Sequence, residues 1–66
     1  MSSKIENLPV EPRLLNIKRA AQYLGTAVWT VRELVWSRQI PYLQLGRGYL
    51  FDIKDLDKFV ESRKVL

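Results

Sequence analysis

Apolar residues recur at helical spacing in three stretches of the chain, and the first follows residue 16. Four positions at i, i+3, i+4 and i+7 form one apolar face: Ile17, Ala20, Ala21 and Leu24. This spacing predicts an amphipathic helix over residues 17–24. Asn16 is a suitable N-cap, because its side chain can accept from the free N–H groups of the first turn. Gly25 follows the last apolar position, where a left-handed residue often ends a helix.

The second stretch begins almost at once and divides into two sides. Its nearest capping residue is Thr26, and its pattern continues to about Ser37. Four aliphatic residues share the side predicted to face the core: Val28, Val31, Leu34 and Val35. The opposite side carries two aromatic and two charged residues: Trp29, Arg32, Glu33 and Trp36. Two helices joined by a three- or four-residue turn that contains glycine predict a helix-turn-helix.

An alternating segment then predicts a β-hairpin, or wing. Leu43 and Leu45 alternate with more polar positions, as in a half-buried strand. Residues 46–48 are Gly-Arg-Gly, and the two glycines supply the positive φ values that a tight hairpin turn needs. Tyr49 and Phe51 share one face of the second strand of the predicted hairpin, and Leu50 between them faces out.

The third helical stretch follows Asp52, which can cap it, and Asp55 stands where an acid can close a capping box. Its apolar face is formed by four residues: Ile53, Leu56, Phe59 and Val60. We expect residues 61–66 to fray. The order helix, turn, helix, wing, helix predicts an α+β, mainly helical winged helix-turn-helix. We expect this domain to span residues 14–61, with a flexible N-terminal arm at residues 1–13 and a C-terminal tail at residues 62–66.

Composition narrows the function. The chain has 66 residues, which favours one domain, and it contains neither cysteine nor histidine. We therefore expect no disulfide framework, no metal site, no cofactor and no enzymatic activity. A formal net charge of +4 favours an acidic partner such as nucleic acid only weakly. Apolar runs too short for a bilayer, and an N-terminus without a signal-peptide core, predict a cytoplasmic, nucleoid-associated protein that binds no membrane.

Three segments resemble the excisionase-type DNA-binding domain, a family related to the DNA-binding domain of MerR regulators: LLNIKRAAQYLG, TVRELV and IPYLQLGRGYLFDIKDLDKFV. The resemblance covers about residues 14–60. It implies binding to double-stranded DNA, with the second helix in the major groove and the wing alongside. The family includes excisionases, which bend attachment-site DNA beside an integrase, and small transcriptional regulators.

Departures from the family fall on the surface expected to touch DNA. Ala27 stands where a serine or threonine usually caps the second helix, and Thr26 could substitute one residue earlier. Val28 and Trp29 replace residues that are usually polar or basic and approach base edges. Trp36 replaces a common basic residue, and Arg38 a common glycine. The usual pattern of base contacts is therefore not expected to hold throughout.

Ten residues are candidate DNA contacts: Lys18, Arg19, Thr26, Val28, Trp29, Thr30, Arg32, Glu33, Arg38 and Arg47. Arg32 is the best candidate for a base edge, because arginine to guanine is the commonest specific contact. Lys18 and Arg19 oppose the dipole of the first helix, which phosphate contact would explain. Arg47 lies at the wing tip. The alternative for each charged residue is a solvated surface position.

The two tryptophans have three interpretations. The wing, or the N-terminal arm with Leu8, Pro9 and Val10, could cover them, or they could form a protein-contact or self-association surface. They could also contact DNA, where an indole can stack on a sugar or touch a thymine methyl group. The first two interpretations are favoured for Trp36, whereas DNA and protein contact are comparable for Trp29.

The leading functional hypothesis is an excisionase-like architectural factor with an integrase as partner, since no effector domain or long dimerising helix follows residue 60. A transcriptional regulator of the same fold is the first alternative. A protein-interaction module that uses the tryptophan face is the second.

Overall fold

A computed structural model describes residues 12–66. Its elements follow the chain in this order: β1 Leu14–Asn16, α1 Ile17–Leu24, α2 Val28–Trp36, β2 Leu43–Leu45, β3 Gly48–Asp52 and α3 Ile53–Arg63. The described residues form three helices and one antiparallel sheet with the strand order β1-β3-β2. The α+β, mainly helical fold predicted from the sequence is confirmed, with the hairpin in the position of the wing.

The first helix has the boundaries and caps that its sequence predicts. The Asn16 side chain accepts from the backbone N–H of Arg19 at 2.8 Å. Gly25 has a φ of 72°, and its N–H donates to the carbonyl of Gln22 at 3.1 Å. Thr26 donates its N–H to the carbonyl of Ala21 at 2.8 Å, so the chain turns sharply and only three residues separate α1 from α2.

Strand β1 is not predicted by the sequence pattern. It pairs with β3 so that Leu15 lies opposite Phe51, and both side chains are buried. Three residues are too few to show a period of two, and a strand this short is defined by the partner it pairs with. Within residues 12–66 the sheet therefore has three strands, and one of them precedes the first helix.

The wing forms as predicted, but two details differ. Leu43 and Leu45 are exposed, because β2 lies at the edge of the sheet and neither side chain packs against the core of the described residues. Only Gly46 takes a positive φ, at 64°, in a two-residue loop; Gly48 begins β3. A positive φ at the first loop position is the requirement of a type II′ hairpin turn, which needs one glycine rather than two.

Helix α3 is capped by Asp52, whose Oδ1 accepts from the N–H of Lys54 at 2.9 Å. Among the hydrogen bonds of residues 12–66, none completes the capping box from Asp55, whose side chain is one methylene shorter than the usual glutamate. The helix continues to Arg63, so the prediction that residues 61–66 fray is wrong for residues 61–63, whereas residues 64–66 lie outside the helix. Val60, predicted on the apolar face, is exposed.

The core lies between the sheet and the three helices. It contains eight buried residues: Leu15, Ala20, Ala21, Val31, Val35, Ile40, Phe51 and Leu56. A polar contact joins α1 to α3 outside this core, where the Tyr23 hydroxyl donates to Asp57 Oδ1 at 2.6 Å and this hydrogen bond raises the pKa of Tyr23. Within residues 12–66, no helix has the length and apolar character needed to cross a membrane.

Candidate nucleic-acid interface

The two sides of α2 differ in burial as the sequence predicts. Val31 and Val35 are buried, and Val28 and Leu34 pack against the core as partly buried neighbours. On the opposite side Trp29 is 60% exposed and Trp36 is 61% exposed. The helix is therefore held by its aliphatic side, and its aromatic and charged side is available to a partner.

The two tryptophans contact each other. Their ring centroids are 6.1 Å apart and the ring planes cross at 85°, an edge-to-face arrangement. Seven residues rise about 10 Å along a helix, so the ring centroids are closer together than the backbone positions that carry them. Such a pair contributes about 0.5–1.5 kcal/mol beyond area burial, which limits the orientations of both rings. Leu8, Pro9 and Val10, the predicted cover from the arm, lie outside the described residues.

Arg32 and Glu33 lie between the tryptophans along the sequence and are exposed. Neither side chain forms a hydrogen bond or an ion pair with residues 12–66. In particular, Glu33 does not hold Arg32 in an intramolecular salt bridge there. Within residues 12–66 no group therefore occupies the donors of the Arg32 guanidinium, and an arginine on such a face can pair with guanine or phosphate.

The N-terminus of α2 differs from the sequence prediction. The N-cap is Ala27, which provides no side-chain acceptor, so the prediction that Thr26 caps the helix is wrong. Thr26 ends the hydrogen-bonded turn after α1 instead, one residue too early to reach the first turn of α2. Thr26 and Thr30 line an apolar groove between the helix-turn-helix and α3, whereas Val28 packs against the core.

The C-terminus of α2 ends at an arginine in the left-handed region. Arg38 has a φ of 60°, and it alone among the non-glycine residues of 12–66 has a positive φ. Its N–H donates to the carbonyl of Val35 at 3.1 Å, and the N–H of Gln39 donates to the carbonyl of Leu34 at 2.9 Å. This pair of bonds is a Schellman motif, in which glycine is usually the left-handed residue.

The remaining predicted contacts lie on α1 and the wing. Lys18 and Arg19 occupy the exposed first turn of α1, which contains no acidic residue. Arg47 lies in the exposed loop between β2 and β3. The positive end of the α1 dipole and these two cations add to one another, which favours an anion near this turn.

Cations divide into two groups by their intramolecular contacts. Five predicted contacts form no side-chain hydrogen bond or ion pair within residues 12–66: Lys18, Arg19, Arg32, Arg38 and Arg47. By contrast, Arg13 pairs with Asp52, Arg63 bonds Gln39 and lies over the Phe59 ring, and Lys64 pairs with Glu61. The predicted cations are therefore not committed to holding the described fold together.

Two further cations were not predicted as candidates. Lys54 and Lys58 on α3 are exposed, and their side chains likewise form no hydrogen bond or ion pair with the described residues. Their spacing on the polar side of α3 is that of an ordinary solvated face, so no sequence signal distinguishes them. Within residues 12–66, no group of three or more potential metal ligands lies together.

Two helices joined by a three-residue turn, followed by a β-hairpin and a third helix, define a winged helix-turn-helix, a class of DNA-binding domain. A family model described as a helix-turn-helix domain matches residues 14–64, and the chain belongs to this family, which is of the excisionase and MerR-like type. No curated protein and no solved structure matches the chain significantly.

Proposed function

We propose that this domain binds double-stranded DNA sequence-specifically, with α2 in the major groove and the wing alongside. The observation that carries the proposal is the exposed side of α2, where Arg32 is free of intramolecular partners within the described residues. In helix-turn-helix docking the outer face of the second helix reaches the base edges. Arg32 is the residue on this face with a bidentate donor geometry, so it is proposed to read a guanine.

Phosphate contacts are assigned to three further cations that have no side-chain partner within residues 12–66: Lys18, Arg19 and Arg47. Lys18 and Arg19 at the start of α1 are placed where the first helix of the motif crosses the DNA backbone. Arg47 at the wing tip is placed on the backbone or in the adjacent minor groove. These contacts position the domain and add affinity without reading sequence.

The proposed biological role is that of an excisionase-like architectural factor. One domain of this size covers little DNA and binds weakly alone, so several copies side by side are needed for stable occupancy. Adjacent copies that share a bent attachment site would place an integrase in register. This role is supported by the family membership and by the size of the described fold.

Substitution of Arg32 tests the DNA interface. A duplex is first selected by the full chain from random sequences, and it is then footprinted with wild type, Arg32→Ala and Arg32→Lys. Arg32→Ala should lose about 1–3 kcal/mol of binding free energy and relax the preference at one base pair. Arg32→Lys should recover charge but not the base preference, because it lacks the planar fork.

Arg63→Ala is the matched control, since Arg63 is engaged with Gln39 and Phe59. It should leave the footprint unchanged. Identical protection by Arg32→Ala and wild type would remove Arg32 from the interface. The architectural role is tested by the gel mobility of complexes with circularly permuted DNA fragments, which reports the bend. Several copies on bent DNA would support this role, whereas a single copy on straight DNA would favour a transcriptional regulator instead.

The exposed tryptophan pair favours a second candidate, a protein-interaction module on the same scaffold. Salt separates the two functions. Binding to DNA should weaken steeply as salt rises, because each phosphate contact releases condensed counterions. Failure to bind any duplex at low salt would overturn the DNA-binding proposal and leave the protein-interaction module.

A further inference from the structure

We infer that Trp29 reads the 5-methyl group of a thymine in the major groove, and this inference rests on the proposed DNA-binding function. Trp29 is the second residue of α2, and N-terminal residues of a recognition helix are the ones that approach base edges. The indole offers a large apolar surface and one N–H donor. Among major-groove base edges, the thymine methyl is the apolar group that such a surface can contact.

The ring is held in place before any ligand arrives. Trp36 lies edge-to-face against Trp29 with 6.1 Å between ring centroids. Side chains on a helix lean toward its N-terminus, so the Trp36 ring lies over the turn that precedes it and supports Trp29 from the C-terminal side. Trp29 is 60% exposed. It therefore presents a restrained apolar surface near the N-terminus of α2, on the side of the helix that faces away from the core.

The neighbours of the ring favour DNA over a protein partner. Arg32 and Glu33 stand on the same side of α2 and are exposed and unpaired within residues 12–66. Protein interfaces are depleted of glutamate, so Glu33 disfavours a protein partner, whereas a DNA groove offers hydrogen-bonding edges, phosphates and methyl groups together. The two rings expose only about 300 Å², well below the roughly 800 Å² per partner of a standard protein interface.

Replacement of single thymines by deoxyuridine isolates the methyl group, since the two bases pair identically. Each thymine of the selected duplex is replaced in turn, and the dissociation constant is measured for wild type and Trp29→Ala. Wild type should bind about threefold to fivefold more weakly when one particular methyl, or two adjacent ones, are removed. Trp29→Ala should bind the thymine and deoxyuridine duplexes equally at that position.

Trp36→Ala separates support from contact, since it removes the ring that restrains Trp29 but leaves Trp29 itself in place. It should bind both duplexes more weakly than wild type and still bind thymine more tightly than deoxyuridine at the same position, and Trp29→Phe, which retains an apolar ring at the contacting position, should also keep the methyl discrimination. Circular dichroism of each variant checks that the fold is kept, as expected for an exposed residue. Loss of the discrimination in Trp36→Ala but not in Trp29→Ala would overturn the assignment.

Two further results would overturn the inference without touching the proposed function: equal affinity of wild type for every deoxyuridine duplex, or the same methyl effect in wild type and Trp29→Ala. Sedimentation without DNA addresses the protein alternative. Wild-type self-association that Trp29→Ala abolishes, together with no methyl effect, would assign the ring to a protein interface. Absence of binding to any duplex would instead overturn the proposed function itself.

Discussion

Arg38 closes α2 in a backbone conformation that glycine adopts at lower energy. Its φ of 60° places Cβ close to the backbone, at a cost of about 1 kcal/mol for a residue other than glycine. Its side chain forms no hydrogen bond or ion pair within the described residues that would offset this cost. A strained residue whose side chain has no partner within residues 12–66 favours a role for Arg38 in binding rather than in stability.

Arg38→Gly should therefore change stability and DNA binding in opposite directions. We expect the free energy of unfolding to rise by up to about 1 kcal/mol, measured by thermal or urea unfolding. DNA affinity should fall, and the slope of its salt dependence should decrease by about one phosphate contact. Arg38→Ala is the control: it should lose the same affinity without the gain in stability. A glycine variant that binds DNA like wild type would show that Arg38 is only a surface charge.

At the scale of elements, the wing depends on one of its two glycines. Gly46 has a φ of 64°, whereas Gly48 lies in β3 without a positive φ, and a Cβ at either position would meet open space. Gly46→Ala should destabilise the hairpin by about 1–2 kcal/mol through backbone strain alone. Gly48→Ala should be nearly neutral. Equal effects of the two substitutions in urea unfolding would contradict the turn geometry.

Helices whose apolar residues recur with a clear period were predictable from the sequence. A strand that is defined by its pairing with another strand was not. The phase of the apolar residues in α2 separates Val31 and Val35 from Trp29 and Trp36, and burial follows that division. Strand β1 has three residues and no period to detect. For β2, alternation shows that Leu43 and Leu45 share a face, but only the tertiary fold determines that both side chains are exposed.

The candidate interface was predictable to the same extent. Helical phase identifies which side chains on α2 point away from the core, including Arg32. It does not identify caps, because the one-residue difference between Thr26 and Ala27 depends on how the turn after α1 is hydrogen-bonded. The helical phase of the apolar residues also does not show whether an exposed indole binds DNA or protein, because that depends on the chemistry of the partner.

At the scale of the whole molecule, one carboxylate ties the start of the domain to its last helix. Asp52 Oδ2 accepts from Arg13 Nε at 2.9 Å, although the two residues are 39 positions apart. Its other oxygen caps α3 at Lys54, and the carbonyl of Arg13 accepts from the N–H of Ile53 at 3.0 Å. The hydrogen bond from Arg13, followed by that from the Lys54 backbone, lowers the pKa of Asp52 below its ordinary value of 3.8.

This lowered pKa predicts how stability depends on pH. Because the folded state favours the ionised carboxylate, the contribution of Asp52 is fully present above its ordinary pKa of 3.8 and is lost as pH falls through the lower folded value. Asp52→Asn keeps a capping side chain but removes the charge that pairs with Arg13. The variant should be less stable than wild type near neutral pH, and the difference should shrink steadily once the pH falls below about 4.

Urea unfolding of both proteins across the acid range measures this difference directly. Glu61→Gln is the matched control, because the Glu61–Lys64 pair is exposed on both sides and such pairs contribute little. Its stability should track wild type at every pH. A difference between Asp52→Asn and wild type that stays constant down to about pH 2 would show that the ion pair to Arg13 does not couple protonation to folding, and that Asp52 acts on α3 only as a cap.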